Sequence, residues 1–253
     1  MTRQMLKDLA QLSRRRARRE QGVFLVEGVR SAESAVEAGA PLEAVLVAHE
    51  ASARAEALAR AAEASGVPVE RVASRDLARI ADTQASQDAI AVSRRIVRDN
   101  ADGLAGAPRV LALDGVQDPG NVGALVRTAA WFGVDAVVAD EQTADFESPK
   151  AVRAAMGGLW DVRLARVPRL GDVLGELAEA GALAWGADMG GTPLRAWQPA
   201  PRGVLVMGSE AHGISPPVRE RLAQTVVIPG GGRGVESLNV GVAAGILLSA
   251  WSR

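Results

Sequence analysis

Short runs of β-branched and other apolar residues alternate along this chain with stretches whose apolar positions recur every three or four residues. That alternation is the pattern of strands interleaved with helices. An opening helix is predicted around Leu6, Leu9 and Leu12. After it come a strand at 23–26, a helix at 30–38, a strand at 42–48, a helix at 52–64, a strand at 67–72, a short helix at 76–82 and a strand at 89–97. Residues 1–100 therefore read as a small α/β module. Gly103, Gly106 and Pro108 interrupt the pattern next, so 101–108 reads as a linker and 109–253 as a second domain.

The second module opens with an apolar strand at 109–113, followed by a polar turn and a helix to about 132. A strand at 134–139 precedes a helix that Ser148 can cap, with Pro149 in its first turn, running to about 156. A strand at 162–167, a helix at 170–180, a strand at 183–187, a turn at Gly190 and Gly191, and a strand at 203–207 complete the alternation. The last stretch begins with the β-branched run Val226, Val227 and Ile228, ended by Pro229. A glycine-dense turn leads to Ser237 and Asn239, which open a helix with Leu238, Val242, Ile246 and Ala250 among its apolar positions. Several strands lack polar alternation, which predicts a mostly parallel sheet covered on both faces.

Composition narrows the chemistry. The 253 residues contain no cysteine, which excludes disulfide frameworks, thiol nucleophiles and cysteine zinc sites, and with only His49 and His212 no structural metal is expected. No apolar run is long enough for a membrane span and no signal-peptide core opens the chain, so a cytoplasmic protein is expected. The net charge of -1 conceals a basic arm: Arg3, Lys7, Arg14, Arg15, Arg16, Arg18 and Arg19 stand against Asp8 and Glu20 in the first twenty positions. A solvated helix face would account for it, and so would contact with nucleic-acid phosphates, which arginine matches bidentately.

Three polar clusters sit at the ends of predicted strands, where ligands bind in open parallel sheets. They are DGVQDPGNVGALVRTAAWFG at 114–133, MGSEAHGIS at 207–215 and the C-terminal stretch from 226. Asn121 lies beside a helix start, where it can cap; Arg127, embedded among Leu125, Val126, Ala129 and Ala130, reads as a guanidinium with a specific partner. Glu210 can cap a turn or orient a hydroxyl or cofactor amine, and His212 invites assignment as a general base. The glycine-rich segment 230–234 matches neither a GxxxxGK[ST] phosphate loop nor a dinucleotide fingerprint.

Together the three clusters, in this order, resemble the SpoU (TrmH) branch of the SPOUT RNA 2'-O-ribose methyltransferases. The stretch RRRARREQGVFLVEG resembles the opening of the L30e-like substrate-binding domain carried by rRNA-directed members. The resemblance implies a SPOUT-type α/β parallel sheet with a deep C-terminal trefoil knot, S-adenosylmethionine as cofactor, a homodimer and RNA as partner. It implies cofactor contacts from Met207, Gly208, Glu210, Ile228, Pro229, Ser237, Leu238 and Asn239, and an active-site set of Asn121, Arg127, Glu210, Ser237 and Asn239. His212 has no role in that pattern. Arg14, Arg15, Arg16, Arg18 and Arg19 would hold RNA phosphates. The chain departs from the family in its glycine-dense PGGGRG turn and at Asp88, where a glycine is common, and both departures bear on RNA choice.

Ribose 2'-O-methylation requires an oxygen positioned against a methyl carbon and favoured loss of its proton. A guanidinium is no base, so the role expected of Arg127 is to stabilise developing alkoxide charge or to hold the adjacent phosphate. The expected substrate is rRNA, most naturally 23S. The alternatives are tRNA, a non-catalytic RNA-binding assembly factor, and a small-molecule methyltransferase, the last of which leaves the basic arm without a partner.

Overall fold

Local pattern decides the strands, and long-range contacts decide how they are shared. The computed structural model describes residues 2–82, 88–231, 234 and 236–252. They form two compact units, Met1–Ile96 with Glu147–Trp160, and Val97–Phe146 with Asp161–Arg253. The second unit thus starts before the linker at 101–108, and the segment 147–160 belongs to the first unit. Its anchors explain why. The buried Glu147 carboxylate accepts from Ile96 N and Arg95 Nε, both at 2.9 Å. Arg153 donates to Glu27 at 3.1 Å and Asp82 at 3.0 Å, and Trp160 stacks on Phe24 with ring centres 6.0 Å apart.

In the first unit the chain order is α1 (Arg3–Ala10), α2 (Arg15–Gln21), β1 (Val23–Glu27), α3 (Val29–Glu37), β2 (Leu42–Ala48), α4 (Ala53–Ala64), β3 (Val69–Val72), α5 (Ser74–Ile80) and β4 (Ala89–Arg94). The sheet order is β1-β4-β2-β3, with β4 antiparallel to both neighbours and β2 parallel to β3. All of β1 is buried, which is why VFLVE shows no polar alternation. On one face Leu25, Leu46, Val72 and Ile90 pack with Leu9, Leu12, Leu77 and Ile80.

The second unit contains β5 (Arg109–Asp114), α6 (Pro119–Trp131), β6 (Ala136–Ala139), β7 (Arg163–Arg166), α8 (Leu170–Glu179), β8 (Leu183–Pro193), β9 (Gly203–Gly208), α9 (Pro216–Arg219), β10 (Gln224–Val227) and α10 (Val240–Trp251). The intervening helix α7 (Pro149–Ala155) lies in the first unit. The six strands are parallel in the order β10-β8-β9-β5-β6-β7. The chain winds outward from β5 through β6 to β7, then returns to place β9 on the other side of β5. That reversal falls between β5 and β9, which end at Asp114 and Gly208, and ligand sites form at such reversals in parallel sheets.

Val110, Ala112, Val138, Val204 and Val206 pack on one face with Leu170, Val173, Leu174 and Leu177 of α8. Helix α10 packs against α6. Trp185, edge-on to Trp197 at 5.6 Å and to Trp251 at 5.5 Å, anchors the end of α10, and the Trp251 indole donates to Ala200 O at 2.8 Å.

Two local expectations change. β8 runs on past 187 through Gly190 and Gly191, which lie in extended structure. A Cβ on Gly191 would lie 2.5 Å from the Thr225 carbonyl carbon, beside the register shift in β10, so close approach of backbone explains that glycine. In α10 the buried positions are Val240, Ala244, Leu247, Leu248 and Trp251, while Val242 is exposed, as is Leu238 just ahead of the helix. A helix apolar all round has no single stripe for periodicity to select.

Candidate active site

The first turns of two packed helices bring the polar side chains together. Asp118 caps α6, accepting from Gly120 N at 2.6 Å and Asn121 N at 3.1 Å, with Pro119 pre-set at the first helical position. The cap is therefore Asp118, and the Asn121 side chain is left for other work. Asn239 caps α10, its Oδ1 accepting from Gly241 N at 2.9 Å and Val242 N at 3.3 Å. Its Nδ2 donates to Asn121 Oδ1 at 3.0 Å, and Asn121 Nδ2 donates to Glu210 Oε1 at 2.7 Å. A single directed chain of dipoles thus runs from the N-terminus of α10 to the Glu210 carboxylate, and each amide uses one acceptor and one donor within it.

Beside this chain lies a cavity of about 980 Å³ at the carboxyl ends of β9 and β10 and beside the middle of β8. Met207, Gly208, Glu210, Ile228, Pro229, Ser237 and Leu238 line it, together with Asp188, Glu236, Val240 and Leu247. Gly208 is required by crowding: a Cβ there would sit 2.4 Å from the Gly213 carbonyl carbon, where the loop after β9 folds back on itself through the Ser209–Gly213 bridge.

Buried polar groups hold that loop and its neighbour. Asp114 at the end of β5 accepts from Ser215 N at 2.6 Å and from the Ser215 hydroxyl at 3.1 Å. Burial pushes the Asp114 carboxyl above the usual carboxylate range against the lowering effect of those bonds, with nearby Asp140 adding to the rise. Asp140 Oδ1 in turn accepts from Gly115 N at 3.1 Å and from the Thr143 hydroxyl at 2.6 Å. Arg166, buried, donates to the carbonyls of Asp140, Thr143 and Ala144 at 2.6 to 2.8 Å.

Not all of the residues expected at the site meet. Asn121 and Asn239 join the cavity through Glu210 rather than lining it. Arg127 is exposed on α6, outside the cavity lining, and makes no ion pair with a described residue. His212 is exposed and also outside the lining. Ser237 caps no helix, because Asn239 does. Two lining residues, Asp188 and Glu236, are not singled out by the local pattern. The strand predicted at 183–187 stops one residue short of Asp188, whereas β8 continues through it to Pro193; Glu236 stands directly before Ser237. Gly232 and Arg233 of the PGGGRG turn, and Ser86 and Gln87 beside Asp88, lie outside the described residues.

In the first unit, Arg14, Arg16 and Arg19 are exposed and Arg15 is half-buried. Arg18 is different, at 2% exposure, with its guanidinium donating to Leu12 O at 2.7 Å and Ser13 O at 2.9 Å. Expected as a phosphate ligand, Arg18 instead satisfies the carbonyls that end the turn after α1, because the bend between α1 and α2 directs it inward.

The cavity's donor set fits S-adenosylmethionine. Val226, Ile228, Leu238, Val240 and Leu247 offer an apolar surface for a purine, and Asp188, Glu210 and Glu236 offer anionic groups for a molecule carrying sulfonium and ammonium charge. Among the described residues no helix is long and apolar enough to cross a membrane.

The chain resembles known proteins along nearly its whole length. The SpoU rRNA Methylase family matches residues 108–249, more than half of the chain, and an MRM3-like substrate binding domain matches residues 3–91. The 23S rRNA (guanosine(2553)-2'-O)-methyltransferase RlmP of Bacillus subtilis is 29% identical over 246 residues, covering 97% of this chain and 94% of that one. An uncharacterized tRNA/rRNA methyltransferase of Mycobacterium avium is 35% identical, covering 95% and 80%. The SpoU methyltransferase AviRb of Streptomyces viridochromogenes, solved in complex with the cofactor AdoMet, superposes with a TM-score of 0.86 at 27% identity, covering 99% and 97%. The chain belongs to the SpoU rRNA methylase family, and its α/β parallel sheet is the fold of that family's solved members.

Proposed function

We infer that this chain is an S-adenosylmethionine-dependent RNA methyltransferase acting on a ribose 2'-hydroxyl, and that its substrate is rRNA of the large subunit. The observation that carries the reaction class is the cavity at the strand ends, flanked by the Asn239–Asn121–Glu210 chain, in a chain of this family. Likeness to RlmP across both units supports the rRNA substrate. A homodimer and a knotted C-terminal segment are part of the same reading. The exposed Leu238, Val242 and Trp131, on or beside the packed helices α6 and α10, give a second copy an apolar face to cover.

The cofactor supplies an electrophilic methyl group on a sulfonium. Val226, Ile228, Leu238, Val240 and Leu247 would hold its purine and exclude water. Glu210, fixed by Asn121 at 2.7 Å, keeps the loop after β9 in one geometry, and Ser237 presents a hydroxyl at the cavity wall. Arg127 stabilises negative charge developing on the ribose oxygen or holds the adjacent phosphate. Neither task needs a proton from the guanidinium. The basic arm adds phosphate contacts from Arg14, Arg15, Arg16 and Arg19.

The test is single-turnover methyl transfer by the Arg127→Ala variant with cofactor binding measured alongside. A loss of about a hundredfold in rate with unchanged cofactor affinity is expected for removal of an oriented donor. A near-normal rate would remove Arg127 from the mechanism.

A further inference from the structure

The cavity wall carries three carboxylates, Asp188, Glu210 and Glu236, and among its described lining residues there is no lysine, arginine or histidine. Glu210 is already engaged by Asn121. Asp188 lies between Ala187 and Met189 in the part of β8 that lines the cavity, with its side chain 24% exposed, and its orientation is fixed from two sides. Oδ1 accepts from Gly190 N at 2.9 Å, and Oδ2 accepts from Arg219 of α9. The Gly190 N–H first, and the Arg219 guanidinium second, hold its carboxyl below the usual carboxylate range. A carboxylate so held stays charged throughout the neutral range and cannot swing away to bulk water.

A fixed negative charge on a partly enclosed, largely apolar cavity acts differently on the two forms of the cofactor. In transfer the S–CH3 bond breaks and its electron pair returns to sulfur. The positive charge leaves with the methyl group and is discharged when the hydroxyl proton is lost. Before transfer the ligand carries a sulfonium; afterwards the same ligand has a neutral thioether and is otherwise almost unchanged in shape. Shape and apolar contact cannot separate two such molecules, whereas Coulomb attraction can.

We propose that Asp188, with Glu236, is the charge-selecting element of this cavity, favouring the cationic methyl donor over its neutral-sulfur product and so driving product exchange. The proposal rests on the cavity being the S-adenosylmethionine site. Arg219, which lies outside the lining, moderates the field of Asp188; its removal strengthens the selection.

The experiment is calorimetric titration of the full chain with three ligands: S-adenosylmethionine, S-adenosylhomocysteine, and sinefungin, whose amine carries positive charge near the sulfonium position. Asp188→Asn is expected to weaken the two cationic ligands by roughly tenfold and S-adenosylhomocysteine by less than about twofold. Arg219→Gln, which leaves the Gly190 N–H in place, is expected to raise the preference for the cationic ligands. Equal losses for all three ligands in Asp188→Asn, or a fall in preference in Arg219→Gln, would overturn the proposal and leave Asp188 a packing role. Should Asp188→Asn fail to fold, Glu236→Gln decides, since Glu236 is exposed: the same asymmetric loss supports the selection and an unchanged ratio contradicts it. Failure of the unmodified chain to bind any of the three ligands would instead refute the cavity's assignment.

Discussion

Asn121 donates from Nδ2 to Oε1 of Glu210 at 2.7 Å, joining the first turn of α6 to the loop that follows β9. Because Asn121 also accepts from Asn239 at 3.0 Å, one side chain links the ends of three segments that are far apart in sequence. Asn121→Asp would place a carboxylate against Glu210 and remove the donor. Its expected effect is a loss of about a hundredfold in the transfer rate, the scale of a small misplacement of reacting groups, with cofactor affinity changed much less. Parallel single-turnover and binding measurements check this; an equal loss in both would mean that the chain only shapes the cavity.

The arginine block divides into two kinds of residue. Removing Arg14, Arg15 and Arg19 is expected to weaken RNA binding and to lower the salt dependence by roughly 0.7 to 0.9 in slope for each phosphate that is no longer neutralised. Arg18→Ala is expected to leave that slope unchanged and to lower stability by about 1 to 3 kcal/mol, since carbonyls it satisfies would be without that donor in a buried setting. Filter binding over a salt series, with denaturant unfolding of each variant, separates the two.

Trp251 is 6% exposed and touches Trp185 edge-on while donating to Ala200. Trp251→Ala is expected to cost about 3 kcal/mol through reduced burial and the cavity left behind. Trp251→Phe keeps a ring against Trp185 and removes the indole donor, at a cost of about 1 kcal/mol. Chemical denaturation of the two variants measures the difference.

Asp114 imposes a pH dependence of known sign. Burial raises its carboxyl pKa in the folded chain above the unfolded value, so the folded state binds the proton more tightly. Its contribution to stability is fully present below the unfolded pKa and is lost as pH rises through the folded pKa. Asp114→Asn removes this titration. The stability of the parent chain minus that of the variant is therefore expected to fall with rising pH across that window, and a difference that grew with pH would contradict the assignment.

Much of the site's location is legible in the sequence because each cluster follows a strand, and strand ends of a parallel sheet converge. Met207, Gly208, Ile228, Pro229 and Leu238 reach one cavity for that reason. What the pattern does not show depends on long-range packing. Nothing local in Ser148 or Pro149 places α7 with the first unit; Glu147, which is buried, and Arg153, which is half-buried, do so through partners such as Arg95 and Glu27, far away in the chain. Arg18 has the same side chain as its neighbours, and only the bend after Leu12 turns it inward. Asp188 is hidden because Gly190 and Gly191 resemble a turn, whereas close approach of β10 requires Gly191 within a strand.

RNA methylation by this chain is measured by transfer of labelled methyl from S-adenosylmethionine to unmodified large- and small-subunit rRNA, with tRNA in parallel, followed by nucleotide-resolution mapping of 2'-O-methylation. The expected result is one modified ribose, in the large-subunit rRNA, and none in the other RNAs. Modification confined to tRNA would contradict the substrate assignment, and absence of transfer to every RNA, assembly intermediates included, would contradict the enzymatic one.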